Sequence, residues 1–390
     1  MRRANRAVVL TKLYREGPLS RQELTEVTAL SQASVSNMVA ELVADGLVED
    51  AGLVESDGGR PRTLLRVSPS YAYVVGVDIG ETRVQVELFD LSMREIAKAD
   101  HAFRSASPKP ATVVNHTLSG LSEVIKEADA DPNRVLGMGV AVSGVVQHPQ
   151  EGVVDAQSLG WNSVPLGEML RAGTSIPVRV DNGAKALGQA EMWFGAGRGA
   201  RDVVVALIGS GVGAAVVTSG SVYRGSTSSA GEWGHTTIVH GGRRCRCGAL
   251  GCLEAYVGAE SILDRYRQAN RGRPVGGGRE EPMLATLIAS AGSSRTAAKV
   301  LEETLDILGA GLATFVNLLN PERIVLGGWA GLALGERYLP EIRTATGSHA
   351  LRGPFEHTTI ELCELGADAV ALGAATLPVA QLLADGGVPR

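Results

Sequence analysis

The N-terminal part of the chain alternates apolar and polar positions with the period of short helices. Three apolar positions, Ala7, Leu10 and Leu13, recur on one face and predict a helix over residues 4–15. The Gly17-Pro18 pair that follows predicts the end of this helix. The chain is therefore expected to open with one amphipathic helix, whose apolar face needs a partner.

Two further helices are predicted directly after the first. Ser20 and Glu23 form an S-x-x-E capping box, which predicts the start of the second helix. Ser31 is expected to cap a third helix over residues 32–44. This third helix leaves small polar residues outward near its start: Gln32, Ser34, Ser36 and Asn37. Two short helices joined by a tight turn, the second with such a polar face, indicate a helix-turn-helix with a recognition helix.

A hairpin is predicted after these helices. Residues 47–50 and 63–67 have the pattern of two strands, and Asp57-Gly58-Gly59 is typical of the turn between them. Arg60 and Arg62 would then form a wing that reaches phosphates or a minor groove. The alternative is a small helical protein–protein module. The helix pair, the polar helix start and the arginine-bearing hairpin occur in order, and together they favour DNA binding.

From residue 71 the pattern becomes β-rich. An apolar strand runs into Asp78-x-Gly80-x-Thr82, a turn whose polar residues suit a metal-bound phosphate. A second copy of strand, glycine-rich turn and strand has Gly209-Ser210-Gly211-Val212-Gly213 as its turn. Either turn alone can be a plain β-turn, but the pair predicts two related lobes with a cleft between them. Further strands are predicted over residues 135–144, 177–180 and 323–328, and helices over 184–194, 314–319 and 367–383.

One polar, glycine-rich run holds four residues at metal-ligand spacing. Cys245, Cys247 and Cys252, with His235 upstream, predict a tetrahedral Cys3His shell for a structural zinc ion. Four protein ligands leave no open position, so the metal should shape a loop and not activate water. The alternatives are buried free thiols or disulfides. Clustered thiols in a polar stretch argue against the first, and the lack of a secretory pattern after Met1 argues against the second.

Composition narrows the class of protein only a little. The 390 residues suit two or three domains, and 49 glycines suit an α/β protein with close backbone contacts. A net charge of −5 argues against a generally basic nucleic-acid coat, although the first 21 residues are locally basic. Apolar runs are too short to span a membrane, so we expect a cytoplasmic protein. The remaining thiol, Cys363, lies in an alternating apolar stretch and is expected in the core.

These motifs together resemble the ROK family (repressors, open reading frames and kinases) over nearly the whole chain. The marks are the Asp78 turn, the Gly209–Gly213 turn, Gly231-Glu232-Trp233-Gly234-His235 and the Cys-x-Cys-x4-Cys-Leu-Glu run that ends at Glu254. The resemblance implies an α/β, two-lobed actin/hexokinase-like (ribonuclease H-like) body, a structural zinc and a monosaccharide in the cleft. Members with an N-terminal winged helix-turn-helix are sugar-responsive transcription regulators.

The resemblance also implies a set of sugar contacts. The corresponding positions of this chain are Gly144, Ser158, Asn162, Asn182, Glu232, His235 and Glu254. Carboxylates and imidazole suit this role because they accept hydrogen bonds in fixed directions and thereby distinguish hydroxyl stereochemistry. The alternative for the two glutamates is solvated loop charge.

One departure from the family pattern bears on catalysis. Kinases of this family carry Asn-Asp after a short strand, and that Asp accepts the proton of the attacking sugar hydroxyl. Here Asn182 is followed by Gly183, and Asp181 stands before the asparagine. Loss of a general base typically costs ~10²–10⁴-fold in rate. The sequence therefore predicts a protein that is not an enzyme: a sugar-responsive, DNA-binding regulator, acting as a repressor of carbohydrate genes.

Two other functions stay open at this point. One is an ATP-dependent sugar kinase with an appended DNA-binding domain, and the other is a regulator whose signal is a partner protein or a sugar phosphate. For the regulator we expect a homodimer or homotetramer on operator DNA, with a monosaccharide as effector. The sequence leaves open whether the sugar releases the DNA or promotes its binding, and the resemblance to the family favours release. The expected domains are residues 1–70 for the winged helix-turn-helix, 71–195 for the first lobe, and 196–390 for the second lobe with its zinc loop and a terminal helix returning to the first lobe.

Overall fold

A computed structural model describes residues 2–55, 61–105, 107–147 and 151–388. The helices are α1 (Arg2–Glu16), α2 (Arg21–Thr28), α3 (Gln32–Ala44), α4 (Pro110–Glu127), α5 (Leu166–Arg171), α6 (Gly183–Phe194), α7 (Glu254–Val257), α8 (Ala259–Ala269), α9 (Glu280–Ser290), α10 (Arg295–Leu319), α11 (Trp329–His349), α12 (Arg352–Glu356) and α13 (Ala369–Ala384). The strands are β1 (Leu19–Ser20), β2 (Val48–Val54), β3 (Arg62–Val67), β4 (Tyr73–Ile79), β5 (Arg83–Asp90), β6 (Glu95–Ala102), β7 (Val135–Val142), β8 (Val145–Gln147), β9 (Val153–Ala156), β10 (Trp161–Val164), β11 (Val178–Asn182), β12 (Val203–Ile208), β13 (Val212–Thr218), β14 (Ser221–Val222), β15 (Arg323–Gly327) and β16 (Thr359–Leu362).

The N-terminal elements form a winged helix-turn-helix. Three helices, α1 to α3, pack with a small sheet of strand order β1-β3-β2. The capping box at α2 is present, because Ser20 accepts from the backbone N–H of Glu23 and the Glu23 carboxylate accepts from that of Ser20. Ser31 caps α3 by accepting from the N–H of Ser34. The predicted hairpin turn, Asp57-Gly58-Gly59, lies outside the described residues.

The rest of the chain contains two five-stranded sheets with the same topology. One has the order β11-β7-β4-β5-β6 and the other β14-β13-β12-β15-β16. In each sheet three consecutive antiparallel strands are extended, beside the first of them, by two parallel strands. Each glycine-rich turn follows the first strand of its own sheet. This repetition confirms the predicted pair of related lobes.

Each lobe buries its own apolar core. The first core lies between its sheet, α4, α5 and the small sheet β10-β9-β8. The second lies between its sheet and helices α7 to α11, and it includes Cys245 and Cys252. No helix of the described residues is both long and apolar enough to cross a lipid bilayer.

Helix α13 packs directly on the backbone of the first sheet. A Cβ on Gly76 or Gly139 would lie about 2 Å from the carbonyl oxygens of Ala371 and Ala374, respectively, so only glycine permits this approach. The C-terminal half of α13 shares a core with the winged helix, in which Leu382 and Leu383 pack with α1 residues such as Leu10. Helix α13 therefore joins the first lobe to the N-terminal domain.

Candidate functional site

The described residues line a cavity of about 200 Å³ between the two lobes. The first lobe contributes the end of β4, the turn after β7 and the start of α6. The second lobe contributes the glycine-rich turn after β12 and the segments around Glu232 and Glu254. Gly80 and Thr82 from one glycine-rich turn and the Gly209–Gly213 turn from the other both line it. The repeated topology thus brings the two turns together at one cleft.

Six of the seven predicted sugar contacts lie at this cavity. They are Gly144, Ser158, Asn182, Glu232, His235 and Glu254. The structure does not place Asn162 with them, since it is exposed on β10 and is not part of the lining. No motif supported the prediction of Asn162, and β10 belongs to the small sheet beside the cavity.

Glu254 is held by both of its carboxylate oxygens. Its Oε2 accepts from the backbone N–H of Val212 at 2.9 Å, and its Oε1 accepts from Nε of Arg246, also at 2.9 Å. Only 5 % of the residue is exposed. Oε1 also accepts from the sulfur of Cys245 at 3.7 Å, so Oε2, with two lone pairs and one bond, is the oxygen that can accept a further bond from a ligand hydroxyl. Glu254 is therefore a fixed, buried acceptor at the cavity.

Glu232 is a second carboxylate at the same wall. Burial raises the pKa of its carboxyl group, although the charges of Lys185 and His235 oppose that rise. Lys185 is 98 % buried near the start of α6, and burial lowers the pKa of its ammonium group, with Glu232 opposing. The two opposite charges are therefore mutually stabilising in a poorly solvated place.

The side chain of Asn182 makes two hydrogen bonds within the protein and also lines the cavity. Its side-chain oxygen caps α6 by accepting from the N–H of Lys185 at 3.2 Å, and its Nδ2 donates to the carbonyl of Gly144 at 2.8 Å. The residue still lines the cavity. These bonds fix the side chain, so any ligand meets a rigid amide.

The structure gives Asp181 a role that leaves it unsuited to act as a base. Its two oxygens accept from the two terminal nitrogens of Arg224 at 3.1 and 2.6 Å, and it is 3 % exposed. It is not among the lining residues, whereas Gly183 is. A Cβ at Gly183 would meet no atom closer than 3.7 Å. Packing would thus accept a side chain at Gly183, where the chain carries none.

The four predicted metal ligands converge. The ligand atoms of His235, Cys245, Cys247 and Cys252 all lie within 4.8 Å of one another. The sulfurs of Cys247 and Cys252 are 3.7 Å apart, as are Nδ1 of His235 and the sulfur of Cys245. Tetrahedral zinc with Zn–S bonds of about 2.3 Å requires sulfur–sulfur separations of about 3.8 Å. The geometry and the donor set therefore fit a zinc ion.

Two residues at the cavity were missed by sequence reasoning. Arg246, between two of the cysteines, donates to both oxygens of Glu81 at 2.7 Å as well as to Glu254. Burial tends to lower the pKa of Arg246, but these carboxylate bonds outweigh it and raise the pKa. Glu81 belongs to the Asp78 turn of the first lobe. Each of these two charged residues lies inside a sequence motif, and that position was the only signal that could have pointed to a role at the cavity.

The winged helix presents the predicted polar surface in part. Gln32 and Asn37 are exposed on α3, while Ser34 and Ser36 are half-buried, and the Ser34 hydroxyl hydrogen-bonds to the Ser31 cap. Arg62 donates to the side chain of Gln22 on α2 at 3.2 Å. Arg60 lies outside the described residues.

The basic N-terminal residues largely serve contacts inside the chain. Arg2 pairs with Glu41, Arg3 with Asp385, Arg6 with Asp45, and Lys12 with Glu16. Arg15 lies 4.7 Å above the ring of Trp193. The local positive charge that the sequence shows is thus mostly neutralised, and three of these residues, Arg3, Arg6 and Arg15, tie α1 to elements of the body.

Comparison with known proteins agrees with this architecture. Residues 74–381 match the ROK family, and residues 4–58 match the MarR family. The chain is 27 % identical over 389 residues to a xylose repressor of Caldicellulosiruptor bescii, covering 98 % of this chain and 97 % of that protein.

Two solved structures share the fold. One is a ROK family transcriptional regulator, a homologue of the E. coli Mlc protein, with a TM-score of 0.81 and 25 % identity over 99 % of this chain and 97 % of that one. The other is a ROK family glucokinase from Streptomyces griseus in complex with glucose and AMPPNP, with a TM-score of 0.68 and 25 % identity over 78 % of this chain and 99 % of the kinase.

Fold and site thus define a two-lobed, actin/hexokinase-like protein with an N-terminal winged helix-turn-helix. The chain belongs to the ROK family. This confirms the family and the fold class that the sequence predicted.

Proposed function

We propose that this chain is a sugar-responsive, DNA-binding transcription regulator that represses carbohydrate genes and does not phosphorylate the sugar. The observation that carries the proposal is the pairing of a sugar-type cavity with Gly183 at the position of the kinase base. Asp181, the nearest acidic residue along the chain, has both oxygens bound to Arg224. The repressor names of full-length relatives support the same function.

The proposed effector is a monosaccharide bound by the six cavity residues. Glu232 and Glu254 accept from its hydroxyls, Asn182 and His235 add directional polar contacts, and Gly144 and Ser158 complete the wall. A site built to hydrogen-bond hydroxyl groups discriminates strongly against analogues that lack them. Since a relative is named as a xylose repressor and a solved neighbour holds glucose, xylose and glucose are the first sugars to test.

A structural zinc ion on the four converging ligands is part of the proposal. His235, Cys245, Cys247 and Cys252 would hold it, and the ion would fix the loop that carries Arg246 and Glu254. The ion would also fix the ring of His235, which lines the cavity. Because the ligand shell is closed, the metal supplies no activated water.

DNA binding is assigned to the winged helix, within proposed domain limits of 1–70, 71–195 and 196–390. We propose that α3 enters the major groove with Gln32, Ser34, Ser36 and Asn37 near base edges, while Arg60 and Arg62 contact the backbone or minor groove from the wing. A homodimer or homotetramer would set two recognition helices about 34 Å, or a multiple of it, apart.

Two helices supply a route from the cavity to the DNA-binding domain. The residues Gly183 and Ala184 at the start of α6 line the cavity, and its last residues, Trp193 and Phe194, make ring contacts with Tyr14 of α1. Val370 near the start of α13 also lines the cavity. A shift of either helix on sugar binding would therefore move α1.

The proposal is tested by selecting binding sites from random DNA and by assaying phosphate transfer. We expect a two-fold symmetric site, and we expect Asn37→Ala to change base preference at one position per half-site. The same preparation should transfer no phosphate from ATP to xylose or glucose at ordinary kinase rates. Turnover of about 1 s⁻¹ or faster, or the absence of any selected site, would contradict the proposal.

A further inference from the structure

We call residues 245–254, which carry the three cysteines, the metal loop. Among the described residues, one chain of ion pairs at the cavity joins a turn of the first lobe to this loop. It consists of Glu81, Arg246 and Glu254, and we call it the inter-lobe bridge. We propose that the bridge holds the lobes together and keeps Glu254 oriented for sugar only while the cleft is closed. The part concerning sugar rests on the proposed function.

The geometry of the bridge is strong and directional. Nη1 and Nη2 of Arg246 donate to Oε2 and Oε1 of Glu81, both at 2.7 Å, in a parallel two-bond fork. Nε of Arg246 donates to Oε1 of Glu254 at 2.9 Å. The side chains are 26 %, 14 % and 7 % exposed for Arg246, Glu81 and Glu254. Such charge-assisted, two-bond pairs are about twice as strong as neutral hydrogen bonds, and partial burial protects them from salt.

The glycine-rich turn of the second lobe provides the seat for the bridge. A Cβ on Gly211 would lie 2.6 Å from Nη2 of Arg246, 3.1 Å from Oε2 of Glu254 and 3.2 Å from Oε1 of Glu81. A side chain at Gly211 would require the Arg246 guanidinium to shift. The bridge therefore covers the turn, and the Val212 N–H at the same turn is already bonded to Glu254.

The bridge couples lobe position to the sugar site. Opening the cleft would carry Glu81 away from Arg246, because the two residues belong to different lobes. Arg246 would then lose the fork that fixes its guanidinium, and Glu254 would lose a fixed partner on Oε1. Sugar would bind the closed form more tightly, which is the condition for a ligand to shift the equilibrium between forms.

Glu81→Gln is the direct test, because it removes one charge from the bridge and lies outside the metal loop. Glu260→Gln is the matched control. Oε2 of Glu260 is 3.7 Å from Nη1 of Arg246, but its side chain is 64 % exposed and it lies in the same lobe as Arg246, on α8. Sugar affinity is measured by calorimetry, and the separation of the lobes is measured by small-angle scattering without sugar. Metal content shows whether the loop stays folded.

We expect Glu81→Gln to weaken sugar binding by about 5–150-fold and to increase the radius of gyration of the sugar-free chain. Glu260→Gln should match the wild type in both. In an Arg246→Gln background the effect of Glu81→Gln on both quantities should disappear, since neighbours in one network are not additive. If Arg246→Gln loses its metal, the comparison of Glu81→Gln with Glu260→Gln still decides whether the bridge affects sugar binding and lobe separation.

Equal sugar affinity and equal radius of gyration for Glu81→Gln and Glu260→Gln would overturn the bridge while leaving the proposed function intact. A wild-type chain that binds no sugar would instead overturn the proposed function. In that case the radius of gyration of Glu81→Gln alone decides whether the bridge holds the lobes: an increase supports this and an unchanged value refutes it.

Discussion

At the scale of single residues, the acidic side chains differ in whether they line the cavity. Glu254 and Glu232 line the cavity, whereas Asp181 is bound by Arg224. Gly183 stands where the proposed likeness to the kinases would place a base, and a Cβ there would meet no atom closer than 3.7 Å. The missing carboxylate is therefore a change of chemistry and not a demand of packing.

Asp78 gives a pH-dependent prediction. Burial raises the pKa of its carboxyl to about 6, from an ordinary value near 3.8. The folded state therefore favours the protonated form of Asp78. The contribution of Asp78 to the free energy of unfolding is greatest below pH ~4 and falls as the pH rises through 6. Asp78→Asn should be more stable than the wild type at pH 7 by about 1–3 kcal/mol, and the difference should shrink at pH 4.

Unfolding by urea at pH 4 and at pH 7 measures this difference. Glu127→Gln is the control, since Glu127 is an exposed carboxylate at the end of α4 and is not among the charges that shift the pKa of Asp78. An advantage of Asp78→Asn that is the same at both pH values would show that the Asp78 carboxyl does not titrate in this range.

Sequence reasoning found most of this site because motif spacing fixes local geometry. The metal ligands and six sugar-site residues converge as expected, since their motifs lie on turns at the ends of strands. Arg246 and Glu81 were missed because their pairing joins two lobes 165 positions apart, and no local pattern encodes that distance. Asn162, the seventh predicted sugar contact, is not among the residues that line the cavity, and it stays a prediction.

At the scale of elements, we propose that the shape of the metal loop depends on a bound ion. Cys247→Ser should lose the metal and the sugar response while the winged helix still binds DNA, because binding free energy of a structural metal is also folding free energy. Cys363→Ser is the control. Cys363 is a buried thiol whose hydrogen bond goes to Glu191, outside the metal cluster.

The Cys247→Ser and Cys363→Ser variants are compared in three measurements. These are metal content by mass spectrometry, sugar binding by calorimetry and DNA binding by anisotropy. Zinc retained by Cys247→Ser at one ion per chain would refute the ligand assignment. A full sugar response in the metal-free chain would show that the loop needs no ion.

The ends of α1 and α13 meet at an ion pair that carries the proposed coupling. Arg3 pairs with Asp385, and the Arg6 guanidinium also donates to the carbonyl of Gly386. We expect Arg3→Ala to reduce the ratio of DNA affinities measured without and with sugar. Lys12→Ala should not, because the partner of Lys12 among the described residues is Glu16 of its own helix. The ratio removes the effect that losing a positive charge has on DNA binding itself.

Anisotropy titrations of both variants give this ratio. If Arg3→Ala keeps the wild-type ratio, coupling does not pass through this end of α13.

Secondary structure was predictable where caps and turns specify it. Ser20, Ser31 and Gly17-Pro18 mark the helix limits of the winged helix correctly. Helix α10 was predicted only over residues 314–319, but it runs from Arg295 to Leu319. Its Gly309 and Gly311 weaken the local helix signal. They are used for packing, since a Cβ on Gly309 would lie 2.5 Å from Cβ of Ala345 on α11.

At the scale of the whole molecule, one duplicated sheet topology accounts for both the cleft and its likeness to kinases. The cleft lies where two glycine-rich turns from the two sheets face each other, and α6 and α13 extend from it to the winged helix. A relative movement of the lobes would therefore reach the DNA-binding domain through these two helices. The pairing of lobes was predictable from the repeated motif, whereas the docking of α1 on α13 depends on contacts between the two ends of the chain.

The most direct test of the central claim is an anisotropy titration of selected operator DNA with the protein, without and with saturating sugar, in the absence of ATP. The account predicts that sugar raises the dissociation constant for DNA by about 5–150-fold, and that Glu232→Gln needs far more sugar for the same effect. An unchanged dissociation constant with sugar shown to be bound would contradict it.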